Sequence, residues 1–389
     1  MSKFFKRVFS VAALGLLVLS LISALSNLGL PHGSSITERL DAREKARLAE
    51  FFHLRQTLGE SVWPGWGQAN IPVILYNEAY IFLLGYPLPP DGWLTVPGRE
   101  QQGGSWDRVP GDTFEGRVYY RQPLSPADEV PQAFTVRVGD YWAASLPTKE
   151  WMTVLLIEQL QRDLPALLRP VFPYRLATSL LLGGSDSYIA MLAHESFHAH
   201  QGWVAEERLV AAESATQWEA RYPWDNPDLQ DAWREELALL RAALDAETNA
   251  ESRALVRQFL EHRQQRRQMF SLEGPLTEYE QQREWLEGTA KYVELEIWRQ
   301  AFLTPGYKPV DLLAGDSQFE NYAAFEKRWS QEMAQMARMA DDEGDGRFYY
   351  SGMAQSVLLD RLLPAWKISF LDGGEFLETL LEEALDTQR

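Results

Sequence analysis

The spacing of apolar and polar positions changes twice along this chain. Residues 37–58 place apolar side chains at helical intervals among charged ones, and Thr37 is a residue type that caps such a helix. The turn Trp63-Pro64-Gly65-Trp66 ends it. Between Ile71 and Leu146 the runs become short and β-rich. Residues 71–76, 80–84, 117–120 and 134–138 read as strands, separated by turn residues such as Pro89-Pro90-Asp91-Gly92 and Gly103-Gly104. From Thr148 onward nearly everything reads as helix: 149–168, 185–213, a hairpin opened by Asn226-Pro227 and running to about 268, then 277–301 capped by Thr277, and a last helix over 352–363. Strands first and helices afterwards predict an α+β fold, with a smaller β-rich region over 36–147 and a mainly helical region over 148–389.

The N-terminus has a different pattern. Lys3, Lys6 and Arg7 precede an apolar run from Val8 to Leu25 broken only by Ser and Gly, which fits a secretory leader or a single membrane anchor within residues 1–30. Ala24-Leu25-Ser26 fits a cleavage site, so both a cleaved leader and a retained anchor over 8–25 stay open. Either places the remainder outside the cytoplasm, in the periplasm or its equivalent. Thirty-seven basic against fifty-five acidic residues give a net charge of −18, which repels phosphate backbones and argues against nucleic acid as a partner. The chain has no cysteine, so any metal site must be built from histidine and carboxylates. Six histidines are available.

Three of those six fall between positions 194 and 200. His194-Glu195-Ser196-Phe197-His198 sets two imidazoles four residues apart, just over one helical turn, so both project from one face and can close on a single Zn²⁺. Glu195 lies about 100° around the axis, beside the ion, where a carboxylate can take a proton from bound water. His200 points to the opposite side and reads as a supporting or surface residue. Gln201 and Val204 stand where the Gly and third His of a metzincin would be, so the third ligand must come from elsewhere. The segment Trp285-Leu286-Glu287-Gly288-Thr289-Ala290-Lys291-Tyr292 offers one. Leu286, Ala290, Val293 and Ile297 form a core stripe with Glu287 at its border, and Glu294 shares that face. Gly288 weakens its helix by roughly 1 kcal/mol, which makes sense where another backbone or a ligand approaches closely. The acidic stretch Asp341-Asp342-Glu343-Gly344-Asp345 lacks EF-hand spacing and reads as a solvated loop.

His-Glu-x-x-His followed by Trp-Leu-Glu-Gly-x-Ala-x-Tyr resembles the gluzincins, the zinc-peptidase class whose third ligand is a downstream Glu; the likeness covers roughly residues 185–300. It implies a zincin-like catalytic half, one Zn²⁺ per chain held by His194, His198 and Glu287, Glu195 as general base, and a peptide or protein substrate. The eighty-eight residues between His198 and Glu287 make the 226–268 hairpin an insertion, and Lys291 stands where many members carry an acidic residue. Tyr292, Tyr349 and Tyr350 are candidates for stabilising an oxyanion, and Glu294 for supporting a ligand. Two other readings remain: a non-catalytic cell-envelope binding protein, and a zinc hydrolase of a non-peptide amide or ester.

Overall fold

In a computed structural model of the chain, which describes residues 18–98, 100–124, 136–342 and 344–386, a sheet and a helical body pack into an α+β protein. The leader reading falls largely outside the described residues, which begin within it at a short helix α1 (Val18–Asn27). Helix α2 (Ala42–Val62) starts later than the sequence suggests because Asp41, not Thr37, caps it, its carboxylate accepting from Glu44 N at 2.7 Å. Thr37 is tied to the sheet instead, its carbonyl accepting from Asn77.

The sheet comprises β1 (Val73–Tyr76), β2 (Tyr80–Leu84), β3 (Trp93–Thr95), β4 (Gln101–Gln102), β5 (Asp107–Arg108), β6 (Tyr120–Pro123), β7 (Val136–Val138) and β8 (Tyr141–Pro147), in the order β4-β3-β7-β8-β1-β2-β6-β5. Neighbours are antiparallel except β1 and β8, which run parallel with Val73 opposite Ala144 and Tyr76 opposite Pro147. Strand β1 is buried at every position because both faces are covered. Val73 and Leu75 face the helices, while Ile74 joins Leu83, Trp93, Tyr120 and Val138 in a second core enclosed by the curl of the sheet. Strands β3 to β5 escape the sequence pattern because two or three residues are too few for an alternation to register, the seven-residue β8 was also not among the expected strands, and the run expected over 117–120 meets β6 only at Tyr120.

The helical body comprises α3 (Lys149–Asp163), α4 (Tyr174–Leu182), α5 (Ser185–Val204), α6 (Glu206–Ser214), α7 (Pro227–Asp245), α8 (Asn249–Met269), α9 (Pro275–Arg283), α10 (Thr289–Leu303), α11 (Phe325–Met336), α12 (Gly346–Leu362) and α13 (Leu377–Asp386). The helix expected over 185–213 breaks at Ala205, whose φ of −140° and ψ of 58° are not helical. Thr277 lies inside α9, which begins at Pro275, and the helix expected from Gly352 starts at Gly346. That helix is not the last: Leu377, Leu380, Leu381 and Ala384 bury a fourth-residue stripe on α13.

Helix α5 lies between the sheet and α10, and its entire second half up to Gly202 is buried. Gly202 permits this packing, since a Cβ there would come within 2.5 Å of the Trp142 ring on β8. At the other end Tyr188 donates to the Pro147 carbonyl at 2.9 Å. The helix that carries the histidines is thereby fixed against the sheet at both ends.

Candidate metal centre

A helix repeats its face every three to four residues, so His194 and His198 on α5 must turn their rings to one side. Their Nε2 atoms are 3.1 Å apart. The facing carboxylate is that of Glu287, whose Oε2 lies 3.4 Å from His194 Nε2 and 3.3 Å from His198 Nε2. Ligand atoms held about 2.1 Å from an ion at tetrahedral angles are separated by about 3.4 Å. The triangle of two nitrogens and one oxygen therefore has dimensions that could hold a metal ion, and all three residues are buried. Glu287 Oε2 makes no hydrogen bond although it is buried, which is costly for a carboxylate unless a cation faces it.

Glu287 is presented by an irregular piece of helix. Between α9 and α10 the chain forms a π-turn over Glu284–Gly288, one residue wider than an α-turn. Gly288 allows α12 to cross at van der Waals contact, since a Cβ on Gly288 would sit 2.5 Å from the Gly352 Cα, and one on Gly352 would meet Gly288 Cα at 2.7 Å. The close approach expected at Gly288 is thus that of another backbone. Arg283, four residues before Glu287, donates to its second oxygen at 2.8 Å and is itself held by Asp345 at 2.6 Å.

Each imidazole has a partner on its far nitrogen. Glu294 Oε2 lies 3.3 Å from His194 Nδ1, and Glu294 Oε1 accepts from Lys291 Nζ at 2.8 Å. Lys291 does not replace the carboxylate that supports the ligand; it stands behind it. His198 Nδ1 meets Gln201 Oε1 at 2.9 Å, and the amide nitrogen of Gln201 donates to Trp285 O, Leu286 O and Thr289 Oγ1. Those acceptors fix which end of the Gln201 amide faces His198. Gln201 Oε1 puts the His198 proton on Nδ1 and leaves its Nε2 lone pair for an ion, while Glu294 stands at ion-pair distance from His194 Nδ1 without a hydrogen bond between them.

The electrostatics follow from burying three carboxylates around two imidazoles. Burial raises the Glu287 carboxyl, but the His198 imidazole and the Arg283 guanidinium outweigh it and hold it well below the usual range. Burial likewise works against a charged His194, yet the adjoining Glu287 and Glu294 carboxylates push its pKa up to about 10. His198 moves the other way, lowered by burial and by the neighbouring His194. The carboxylates thus demand positive charge at this point, and a single proton on His194 supplies it where an ion would compete. Burial pushes Glu195 up to about 8, with the surrounding Glu287, Glu294 and Glu213 acting in the same direction. Glu195 Oε2 has no hydrogen-bond partner. Both His194 and Glu195 line a cavity of about 430 Å³, together with Met191, Lys291, Tyr349 and Tyr350.

The remaining candidates separate by where their polar atoms go. The Tyr349 ring stacks on His194, with centroids 6.0 Å apart and planes 11° from parallel. Burial and the Glu287 charge raise its hydroxyl well above its usual pKa, keeping it a donor. Tyr350 donates to Glu332 at 2.6 Å, on the Lys291 side of the cavity. Tyr292 is not in the site. Its hydroxyl donates to Asp360 and accepts from Lys367, beside Trp63 and Trp366. Glu284 also turns away, paired with Arg263 at 2.5 Å. His200 is not a surface residue. It is buried against Phe197 and Trp203, and burial lowers its pKa to about 4.

The acidic stretch is not simply solvated either: Asp345 binds Arg283, and Asp342 and Asp345 border the cavity. Glu343 lies outside the described residues. Residue reasoning missed Gln201, Arg283 and Asp345, and also Tyr76, whose hydroxyl burial and the Glu195 charge raise to about 12. Gln201 and Arg283 were within reach, standing one helical turn from His198 and Glu287. Comparison with protein-family models, with curated proteins and with solved structures finds no match to this chain.

Proposed function

We propose that the chain is a zinc-dependent hydrolase of the gluzincin kind, acting on peptides, with a zincin-like catalytic half and an exported location. The observation that carries this reading is the triangle of His194 Nε2, His198 Nε2 and Glu287 Oε2, with sides of 3.1 to 3.4 Å, Gln201 bonded to the far nitrogen of His198 and the Glu294 carboxylate 3.3 Å from that of His194. Two imidazoles and one carboxylate suit Zn²⁺ and leave a coordination position for water or substrate. When bound, the ion supplies Lewis acidity toward a carbonyl and lowers the pKa of water.

The chain's own residues account for the rest. Glu195 sits in the cavity wall beside His194 with an oxygen that has no other partner, so it is free to accept a proton from water and hand it to a leaving amine. Tyr349, stacked on His194 and kept protonated, is the donor that favours a developing oxyanion. The export reading rests on the basic residues and apolar run at the N-terminus.

Zinc analysis of the purified chain and a peptide library test this reading. One zinc per chain is expected, with Glu195→Gln keeping the metal and losing about a hundredfold or more in hydrolysis, because an amide is nearly isosteric yet accepts no proton. Less than about a tenth of an equivalent after zinc reconstitution would reject the metal centre. Full zinc with hydrolysis of esters or non-peptide amides alone would reject the peptidase assignment.

A further inference from the structure

Exposed apolar side chains are concentrated in one region. Of the twenty-two large ones exposed among the described residues, twelve lie on α1 and Leu28 or between Leu155 and Leu181. Scattered single ones would need no explanation, but a cluster does.

Helix α4 is the clearest part of it, because it is inside out. Tyr174 and Thr178, four apart, are its buried residues, while Leu176 and Leu180, also four apart, are 58% and 75% exposed. Leu181 is 65% exposed, and Leu167 in the preceding turn is 91% exposed. A helix with its leucines outward and its threonine inward is built for a surrounding that is not water.

The cluster is continuous with the N-terminal helix. Asn27 donates to the carbonyls of Pro170 and Phe172, each at 3.0 Å, and Arg175 donates to the carbonyls of Ser26 and Gly29. Leu30, Ile157 and Tyr174 share a small core beneath this junction. Helix α1 therefore ends beside the start of α4, and its sequence continues toward the N-terminus in an apolar run that begins at Val8, behind Lys3, Lys6 and Arg7. Charge adds a second argument. Between Glu158 and Arg175 three arginines stand against two acids, Glu158 and Asp163, leaving Arg169 and Arg175 without a paired acid among the described residues in a chain whose net charge is −18. A local cationic rim around an apolar face matches anionic headgroups above acyl chains.

We propose that α4 and the turn before it form a membrane-docking face, lying in the plane of an anionic bilayer beside the N-terminal helix. Nine residues are far too few to cross a bilayer, so α4 rests in the interface with Leu176 and Leu180 downward. Helix α5, which follows it, is the buried core helix of the metal centre and takes no part. The N-terminal segment alone would leave the domain tumbling on a tether; the second contact fixes its orientation toward the membrane. This holds whether or not the metal centre is catalytic.

The absence of cysteine makes the test direct. Leu180→Cys and Leu167→Cys in the full chain, each labelled with an environment-sensitive dye, are reconstituted in vesicles of phosphatidylcholine and phosphatidylglycerol containing a spin-labelled lipid. Leu303→Cys, at an exposed position of α10, is the control. Several-fold stronger lipid quenching at 167 and 180 than at 303 is expected, weakened by Arg169→Glu. Quenching at 167 and 180 no stronger than at 303 would overturn the proposal, as a tether alone gives that result. A blue-shifted dye at 180 in lipid-free solution, with doubled particle mass, would overturn it in favour of a second copy of the chain.

Discussion

A carboxylate on the far nitrogen of a ligating imidazole fixes the tautomer and raises the basicity of the near nitrogen, and Glu294 stands in that position behind His194. Glu294→Gln keeps an acceptor but removes the charge, so zinc affinity should fall about ten- to a hundredfold with the fold intact. Competition against a chromophoric chelator measures this, and unchanged affinity would show that Glu294 merely neutralises Lys291. At this scale the sequence was readable wherever geometry is local. His194, Glu195 and His198 follow from one turn of helix, and Glu287 from a stripe at the edge of its own helix. What supports them was less legible. Glu294 was visible as sharing a face with Glu287, but its contact with His194 depends on how α10 crosses α5. Asp345 reaches Arg283 from a segment whose composition suggests only a solvated loop.

Elements add a constraint that single residues do not carry. The π-turn at Glu284–Gly288 lets Trp285 O and Leu286 O accept from Gln201, so the turn carrying Glu287 and the His198 imidazole are joined through one amide. Gly288 makes the turn possible by admitting α12. In an ordinary exposed helix Gly→Ala gains up to about 1 kcal/mol. At Gly288 the added Cβ would meet the Gly352 backbone at 2.5 Å, and backbone cannot rotate away. Gly288→Ala should therefore destabilise by about 1–3 kcal/mol and weaken zinc binding at least tenfold, because the turn carrying Glu287 must shift. Thermal melts and metal titration check both. Gly288 itself signalled a close approach, but an i to i+5 turn leaves no compositional trace. Helix starts were misplaced where two capping residues compete, as Thr37 and Asp41 do, and the strands of two or three residues were too brief to show a period.

Across the whole molecule, the 226–268 segment is more than an excursion between ligands. Arg263 and Arg266 on α8 are buried among Glu236, Glu280 and Glu284, so the hairpin grips the helix that leads into the metal centre. Glu378 on α13 closes this cluster by pairing with Arg263 and Arg267. Burial raises its carboxyl, but the charges of Arg267 and Arg263 outweigh that and lower the pKa from 4.5 to about 2. A depressed carboxylate stabilises the fold above its unfolded pKa and loses that contribution as pH falls through the folded one. The shift corresponds to roughly 3 kcal/mol as an upper bound. Glu378→Gln should thus be less stable at pH 7 by about 2–3 kcal/mol, with the gap to the unaltered chain closing between pH 4.5 and 2. Denaturant titrations at several pH values decide it, and a gap independent of pH would remove the ionic explanation. The hairpin was legible as two helices, whereas its role was not, since charged residues at helical spacing look the same solvated or buried.

The eighty-eight residues separating His198 from Glu287 also order events in time. At about 5–20 residues per second, a ribosome delivers the histidine pair roughly 4–18 s before the carboxylate exists. During that interval two imidazoles alone would be too few ligands to hold an ion tightly. On the metal-centre proposal, the choice among metals would fall to the finished cavity, whose spacing is set by Gln201, Arg283 and the Gly288 crossing.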